Sequence, residues 1–173
     1  MIELDRYIRR FESFKAGLCA ITEGLTADEA RFKPTPADWS ILEIVCHLAD
    51  EEVEDFRTRL QLTLEEPTRQ WPPIDPEGWA VQRRYNHQDL AAAVARFAAA
   101  RQESLAWLRS LDHPDWSRTH HHPKLGPMSA GDLLVSWAAH DALHLRQFAK
   151  RLHQLAERDS DGHSSSYAGS WGP

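Results

Sequence analysis

Residues 137–148, WAAHDALHLRQF, place two histidines four positions apart in a stretch that otherwise has the spacing of a buried helix face. The apolar residues around it recur every three or four positions, which predicts an amphipathic helix. They are Leu133, Trp137, Phe148, Leu152 and Leu155. His144 falls within this stripe and His140 at its edge. Side chains four positions apart lie on one helix face, about 5–6 Å from each other. The two imidazoles can therefore converge on one metal ion.

Three further segments show helical periodicity, so the chain is predicted to be an all-α protein, a four-helix bundle with long inter-helix loops. The four predicted helices cover about residues 2–22, 40–64, 86–110 and 129–156. Ser40 with Glu43, and Ser129 with Asp132, have the spacing of capping boxes at two helix starts. No period-two alternation is visible, so we expect no strands.

The bundle is expected to form one domain, residues 1–157, followed by a flexible Ser- and Gly-rich tail, residues 158–173. The proline-rich connection 66–79 is expected to be irregular and to fold over the bundle. Its Trp71 and Trp79 are predicted to wall an apolar pocket.

Composition excludes several classes of function. The chain has 173 residues, a formal net charge of −6 and a sequence pI of about 5.9. It has no dense basic block, so no nucleic-acid partner is expected. No apolar run approaches the roughly 20 residues of a membrane span, and the N-terminus lacks a signal-peptide pattern, so we expect a cytoplasmic location. The two cysteines, Cys19 and Cys46, give no disulfide framework.

His47 is the best candidate for a third ligand, because it lies at the border of the apolar face of the second predicted helix. Three histidines, His47, His140 and His144, would leave coordination positions open for water or substrate, as in a catalytic metal site. Glu51 lies one turn after His47 and can accept its ring N–H or bind the metal. The alternative for Glu51 and Glu52, a solvated acidic face, is the favoured interpretation.

Asp141 lies near the middle of the apolar stripe that carries His144. A buried carboxylate must be paired or hydrogen-bonded. It either orients a histidine ligand or pairs with an arginine, such as Arg146 or one on another helix, and both interpretations stay open. His120, His121 and His122 lie beside a proline in a predicted loop, and we interpret them as surface residues.

Two segments, residues 38–52 (DWSILEIVCHLADEE) and 122–148 (ending in H-x-x-x-H-x-x-Q at His140, His144 and Gln147), resemble the two signatures of the DinB-like superfamily. The resemblance implies a four-helix bundle, often a homodimer, with a divalent metal held by three histidines. By motif position these are His47, His140 and His144. Related members include bacillithiol- and mycothiol-dependent S-transferases and a mycothiol-dependent maleylpyruvate isomerase.

The expected function is therefore a metal-dependent thiol S-transferase or hydrolase that acts on a small-molecule substrate, with Glu51 and Asp141 as candidate catalytic residues. Imidazole ligands suit zinc, nickel, iron and copper alike. We expect zinc or nickel, with iron and manganese as alternatives, and a thiol cofactor of the bacillithiol type. Two alternatives remain open. One is a stress-related bundle that binds a metal or ligand without turnover, and the other is a structural bundle with inert histidines.

Overall fold

Four long helical segments pack as a bundle in the computed structural model, which describes residues 2–171. The helices are α1 (Leu4–Thr22), α2 (Ala27–Arg31), α3 (Ile41–Glu51), α4 (Thr58–Glu65), α5 (Pro76–Gln82), α6 (Leu90–Ser110) and α7 (Ala130–Arg158). A π-helical segment, Glu52–Arg57, joins α3 to α4, and short 3₁₀ turns cover Tyr85–His87 and Ser166–Ala168. The predicted helical class and bundle architecture are confirmed.

Both capping boxes form where the sequence predicts them. Ser40 Oγ accepts the backbone N–H of Glu43 at 3.1 Å, and the Glu43 carboxylate accepts the backbone N–H of Ser40 at 2.8 Å. Ser129 and Asp132 make the same pair of hydrogen bonds at the start of α7. Each box satisfies backbone donors that a helix start otherwise leaves without a partner. These caps fix where the two histidine-bearing helices begin.

The second predicted helix is continuous but not uniform, because its middle widens into the π-helical segment Glu52–Arg57. The Thr58 hydroxyl donates to the carbonyl of Val53, five residues earlier, at 2.6 Å. Three acidic residues around this segment, Glu51, Glu52 and Asp55, are buried. The interpretation of Glu51 and Glu52 as a solvated face is therefore wrong. π-Helical turns inside α-helices are frequent at functional sites.

A β-hairpin replaces part of the loop before α7, so the expectation of no strands is wrong. Strands β1 (Thr119–His122) and β2 (Gly126–Ser129) pair in antiparallel register. The His122 ring nitrogen Nδ1 accepts two backbone N–H groups of the turn. Gly126 has φ +78°, a left-handed conformation that glycine adopts without the steric cost of a Cβ. The hairpin is only four residues per strand, too short for a clear alternating pattern.

The connection 66–79 is also more regular than predicted, because α5 begins at Pro76. Pro76 occupies the first helical position, where a missing N–H costs nothing. The Asp75 carboxylate accepts the backbone N–H of Gly78 at 3.0 Å and caps this helix. A Cβ on Gly78 would lie 1.9 Å from the other Asp75 oxygen, so glycine at this position allows the cap.

The core consists of two apolar clusters, one above the other along the bundle. The first includes Ile44, Leu48, Phe97 and Phe148, and the second includes Phe11, Leu60, Leu105, Leu133 and Trp137. The buried guanidinium of Arg101 lies 5.1 Å from the ring centroid of Phe97 and 4.9 Å from that of Phe11. A charged group therefore lies where the two clusters meet.

Some apolar surface stays exposed on α7. Val135 and Leu145 line a groove against α1 and are each nearly half exposed. This face is compatible with the homodimer that the resemblance implies, and the homodimer stays a prediction.

Among the described helices, none combines the length and apolar character needed to cross a membrane. After α7 the chain folds back along the C-terminal part of this helix, where Trp171 contacts His153. Flexibility of residues 158–173, whose last two lie outside the described part, stays a prediction.

We expect Ser40→Ala to lower the free energy of unfolding by about 1 kcal/mol, since it removes the cap of α3. It also removes the partner of Asn86, whose side-chain oxygen lies 2.7 Å from Ser40 Oγ. Urea denaturation of the purified variants measures the change. Ser13→Ala is the matched control, because Ser13 is exposed within α1. Equal stability of the two variants would contradict the capping role.

Candidate metal centre

Three imidazoles from α3 and α7 meet at the bottom of a cavity. His47 Nε2 lies 3.1 Å from His144 Nε2, which lies 3.0 Å from His140 Nε2. Ligand atoms of all three lie within 4.8 Å of one another, and no other group of three metal-binding side chains forms within residues 2–171. Two nitrogens bound to one zinc ion at about 2.0–2.1 Å are at most about 4 Å apart. The donor set therefore fits a divalent cation.

A hydrogen bond on the far side of the His144 ring leaves the lone pair of its Nε2 directed at the common point. His144 Nδ1 lies 2.8 Å from the amide oxygen of Gln147. Since that oxygen only accepts, Nδ1 donates and Nε2 keeps its lone pair. His47 is held by packing, with its ring edge against Trp39 at 4.8 Å between centroids. Its Nδ1 is buried without a hydrogen-bond partner among the described residues.

Burial keeps two of the rings neutral. It is the largest cause that lowers the pKa of His47 to about 3, with His144 and His140 adding to the effect. Burial, followed by His140, lowers the pKa of His144 to about 3 against the opposing hydrogen bond to Gln147. Neutral imidazole is the form that binds metal. Protons therefore compete weakly for these two nitrogens at neutral pH.

Glu51 brings a carboxylate to the same point. Its Oε2 lies 3.1 Å from His140 Nε2 and 3.7 Å from His47 Nε2, and the residue is 5% exposed. Asp55, one turn later, lines the same cavity. Burial raises the pKa of Asp55 to about 6, opposed by Arg59, whose Nε lies 2.8 Å from its carboxylate. Glu51 is thus the carboxylate that would contact a metal ion or a metal-bound molecule at the three histidines.

Asp141 points away from the histidines and pairs with Arg101 on α6. Two hydrogen bonds of 2.7 and 2.9 Å join them, and Arg101 makes two more, both 2.8 Å, to Glu52. The Trp137 indole N–H also donates to Glu52, at 3.1 Å. Of the two interpretations left open, pairing with an arginine on another helix is the observed one. No contact joins the Asp141 carboxylate to a histidine ring among the described residues.

Arg101 is the functional residue that sequence reasoning missed. Burial alone would lower its pKa, but Glu52 and Asp141 raise the pKa above its ordinary value, so the guanidinium stays charged. A signal was present in the sequence. Arg101 is spaced four residues from both Phe97 and Leu105, and it therefore falls on the buried stripe of α6.

The three histidines open into a cavity of about 830 Å³. Its wall includes Trp39, Phe56 and residues 74–77, so part of the proline-rich connection does line the site. Trp71 and Trp79 do not. They are buried in the two core clusters, and the prediction that they wall this pocket is wrong.

The triple-histidine stretch contributes to packing rather than to the metal centre. His120 is 2% exposed, stacks on Trp71 with 4.2 Å between ring centroids, and hydrogen-bonds the Pro67 carbonyl at 2.9 Å. The interpretation of all three as surface residues is therefore wrong for His120, while His121 is exposed. Strand pairing explains the difference, because alternate residues of β1 face opposite sides.

Cys46 is buried, and burial raises its thiol pKa to about 11.

We expect Arg101→Met to lower the free energy of unfolding by about 3–5 kcal/mol, because it leaves two buried carboxylates without a counter-charge. Arg109→Met is the matched control, since Arg109 pairs with Glu12 on the surface and should cost only a small fraction of that loss. Chemical denaturation with both variants measures the difference.

If Arg101→Met does not fold, a triple variant that also carries Glu52→Gln and Asp141→Asn should fold, because it removes every charge of the cluster. A loss no larger for Arg101→Met than for Arg109→Met would contradict the assignment.

Comparisons with known proteins agree with this architecture. The DinB superfamily profile matches residues 10–148. An Oceanobacillus iheyensis protein named "putative metal-dependent hydrolase" is 30% identical over 108 residues, which are 62% of this chain and 61% of that protein. The "putative metal-dependent hydrolase YfiT" of Bacillus subtilis is 24% identical over 152 residues, covering 86% of this chain and 85% of YfiT.

The solved structure of YfiT superposes with a TM-score of 0.79 at 21% identity and covers 90% of this chain and 91% of that one. It is described as a "probable metal-dependent hydrolase with an unusual four-helix bundle topology". At this identity the match shows a shared fold. The profile match spans most of the chain and includes all three histidines of the candidate metal centre, and the chain therefore belongs to the DinB superfamily.

Proposed function

We propose that this chain is a divalent-metal-dependent hydrolase whose metal is held by His47, His140 and His144. The observation that carries the proposal is the meeting of three ring nitrogens and the Glu51 carboxylate at the bottom of an open cavity. The names of the Oceanobacillus and Bacillus relatives support the same reaction class. Imidazole ligands suit zinc, nickel and iron alike, and zinc or nickel is the ion that we propose.

A divalent ion at these nitrogens supplies a Lewis acid and lowers the pKa of a nearby water or thiol. The chain's own contribution is the base, Glu51, and the buried side chains around it. Glu51 takes a proton from the attacking water as the new bond to the substrate's electrophilic carbon forms. It returns that proton to the leaving group as the old bond breaks. The neutral state of His47 and His144 keeps these two rings free of protons that would compete with the metal.

A thiol S-transferase is the second candidate, and the size of the cavity favours it. A volume of about 830 Å³ is near the upper end of small-molecule sites and has room for a low-molecular-weight thiol beside an electrophile. Glu51 would then take the proton of the thiol, and the sulfur would displace the leaving group. Neither proposed reaction uses Asp141, because both of its carboxylate oxygens accept hydrogen bonds from Arg101.

We expect untagged protein to contain about one divalent ion per chain and the double variant His140→Ala/His144→Ala to contain almost none. The reason is that removal of two of three imidazoles leaves too few ligands. Elemental analysis after extensive dialysis measures the content. His113→Ala/His163→Ala, which removes two exposed histidines, is the control and should retain the ion. Near-equal metal content in the two double variants would reject the site.

We expect Glu51→Gln to lower kcat by about 10²–10⁴-fold while metal content stays unchanged, because the amide cannot accept a proton. Steady-state assays with p-nitrophenyl esters test hydrolysis, and a small thiol with a chlorodinitrobenzene electrophile tests transfer. Glu65→Gln is the control, since Glu65 is exposed outside the cavity. Metal-loaded protein that turns over neither substrate class would favour the non-catalytic binding bundle instead.

A further inference from the structure

The cavity above the three histidines has an acidic wall. It is lined by five carboxylates, Asp38, Glu51, Asp55, Asp75 and Glu77, and by one cationic side chain, Arg151. Glu51 and Asp55 are buried near the histidines, whereas Asp75 and Glu77 are exposed. The exposed pair therefore forms the rim of the cavity, and the buried pair belongs to its floor.

Arg151 is not available to bind a substrate anion. Its Nε donates to the Trp39 carbonyl at 2.6 Å, one terminal nitrogen donates to Asp38 at 2.6 Å, and the other contacts Gln154. The residue is 6% exposed. An anion could reach the guanidinium only after it displaced one of these partners. The charges of Arg151 and Asp38 therefore offset each other within the wall.

The rim carboxylates, by contrast, have unused acceptor capacity. One Asp75 oxygen caps α5 through the Gly78 N–H, and the second accepts no hydrogen bond from any group between residues 2 and 171. Glu77 has no ion-pair or hydrogen-bond partner in that part of the chain either. The rim carboxylates are not part of any group of three metal-binding side chains among the described residues.

Aromatic rings complete the same wall. Trp39 and Phe56 both line the cavity, and Trp39 also packs against His47. An organic cation is attracted both to a carboxylate and to the face of an aromatic ring. Acidic and aromatic side chains together are thus the chemistry that recognises an ammonium or amidinium group.

We infer that the outer part of this cavity binds a positively charged group of the substrate, so that the site takes amine-bearing substrates and disfavours those with a carboxylate in that position. The inference rests on the proposed function, because it assumes that the reacting end of the substrate lies at the three histidines. Asp75 and Glu77 are its specificity-determining residues. Like charge at the rim would also penalise a substrate with a carboxylate in that position, which adds to the discrimination that favourable contacts give.

The test uses three probes that share one metal-binding group and differ only in charge at the far end. They are benzohydroxamate, its 4-aminomethyl derivative and its 4-carboxy derivative. Isothermal titration calorimetry with zinc-loaded protein at low ionic strength gives the three dissociation constants. We expect the aminomethyl probe to bind about tenfold or more tightly than the carboxy probe, with the neutral probe between them.

The double variant Asp75→Asn/Glu77→Gln should bring the three dissociation constants close together. Glu23→Gln/Glu65→Gln, which removes the same charge from exposed positions outside the cavity, should keep the preference. Should loss of the Asp75 cap unfold α5, Glu77→Gln alone provides the test with a smaller expected effect, because its side chain is exposed.

Equal binding of the charged probes to the unaltered protein, or a preference for the carboxy probe, overturns the inference while the metal site stands. If the double variant still prefers the aminomethyl probe to the carboxy probe, Asp75 and Glu77 do not determine the preference. Failure of all three probes to bind zinc-loaded protein contradicts the proposed function itself, because the ion would then be closed to ligands.

Discussion

The site depends on the buried contact between Arg101 and two carboxylates. Arg101 on α6 holds Glu52 at the start of the π-helical segment and Asp141 on α7. Each carboxylate directly follows a residue of the candidate site: Glu52 follows Glu51, and Asp141 follows His140. A guanidinium that binds two planar carboxylates fixes their direction as well as their distance. The contact therefore sets the spacing of α7 and the π-helical segment at the level of the three histidines.

Helix geometry explains how one helical turn can supply a residue to the candidate metal site and its neighbour to the Arg101 contact. Consecutive residues on an α-helix point about 100° apart. His140 can therefore face the cavity while Asp141 faces the interior between the two core clusters, and the same holds for Glu51 and Glu52. Desolvation of three charges is costly, and such clusters add little net stability over apolar packing. The cluster acts here through orientation, because the ring nitrogens of a metal site must be held to within about 0.5 Å.

The sequence was informative wherever a local pattern determines the structure. Capping residues located two helix starts, and the buried stripe of α7 located His140 and His144. The partner of Asp141 was not identified, because the choice between Arg146 and an arginine on another helix depends on how the helices pack. Burial of Glu51 and Glu52 was missed for the same reason, since a run of acidic residues has the composition of a solvated face until a cation such as Arg101 is placed opposite. The β-hairpin was too short to show a period.

The cavity has two parts that come from different levels of the fold. Its floor, the three histidines and Glu51, belongs to α3 and α7, whose positions are fixed by capping, core packing and the Arg101 contact. Its rim at residues 74–77 comprises the end of the connection before α5 and the first residues of that helix, which the Asp75 cap and the buried Trp79 hold in place. Substitutions in the rim can change the charge of the wall without moving the ring nitrogens. The proposed activation of a nucleophile and the proposed choice of substrate are thus physically separable, because the first depends on the helices of the bundle and the second on residues 74–77 at the edge of the cavity.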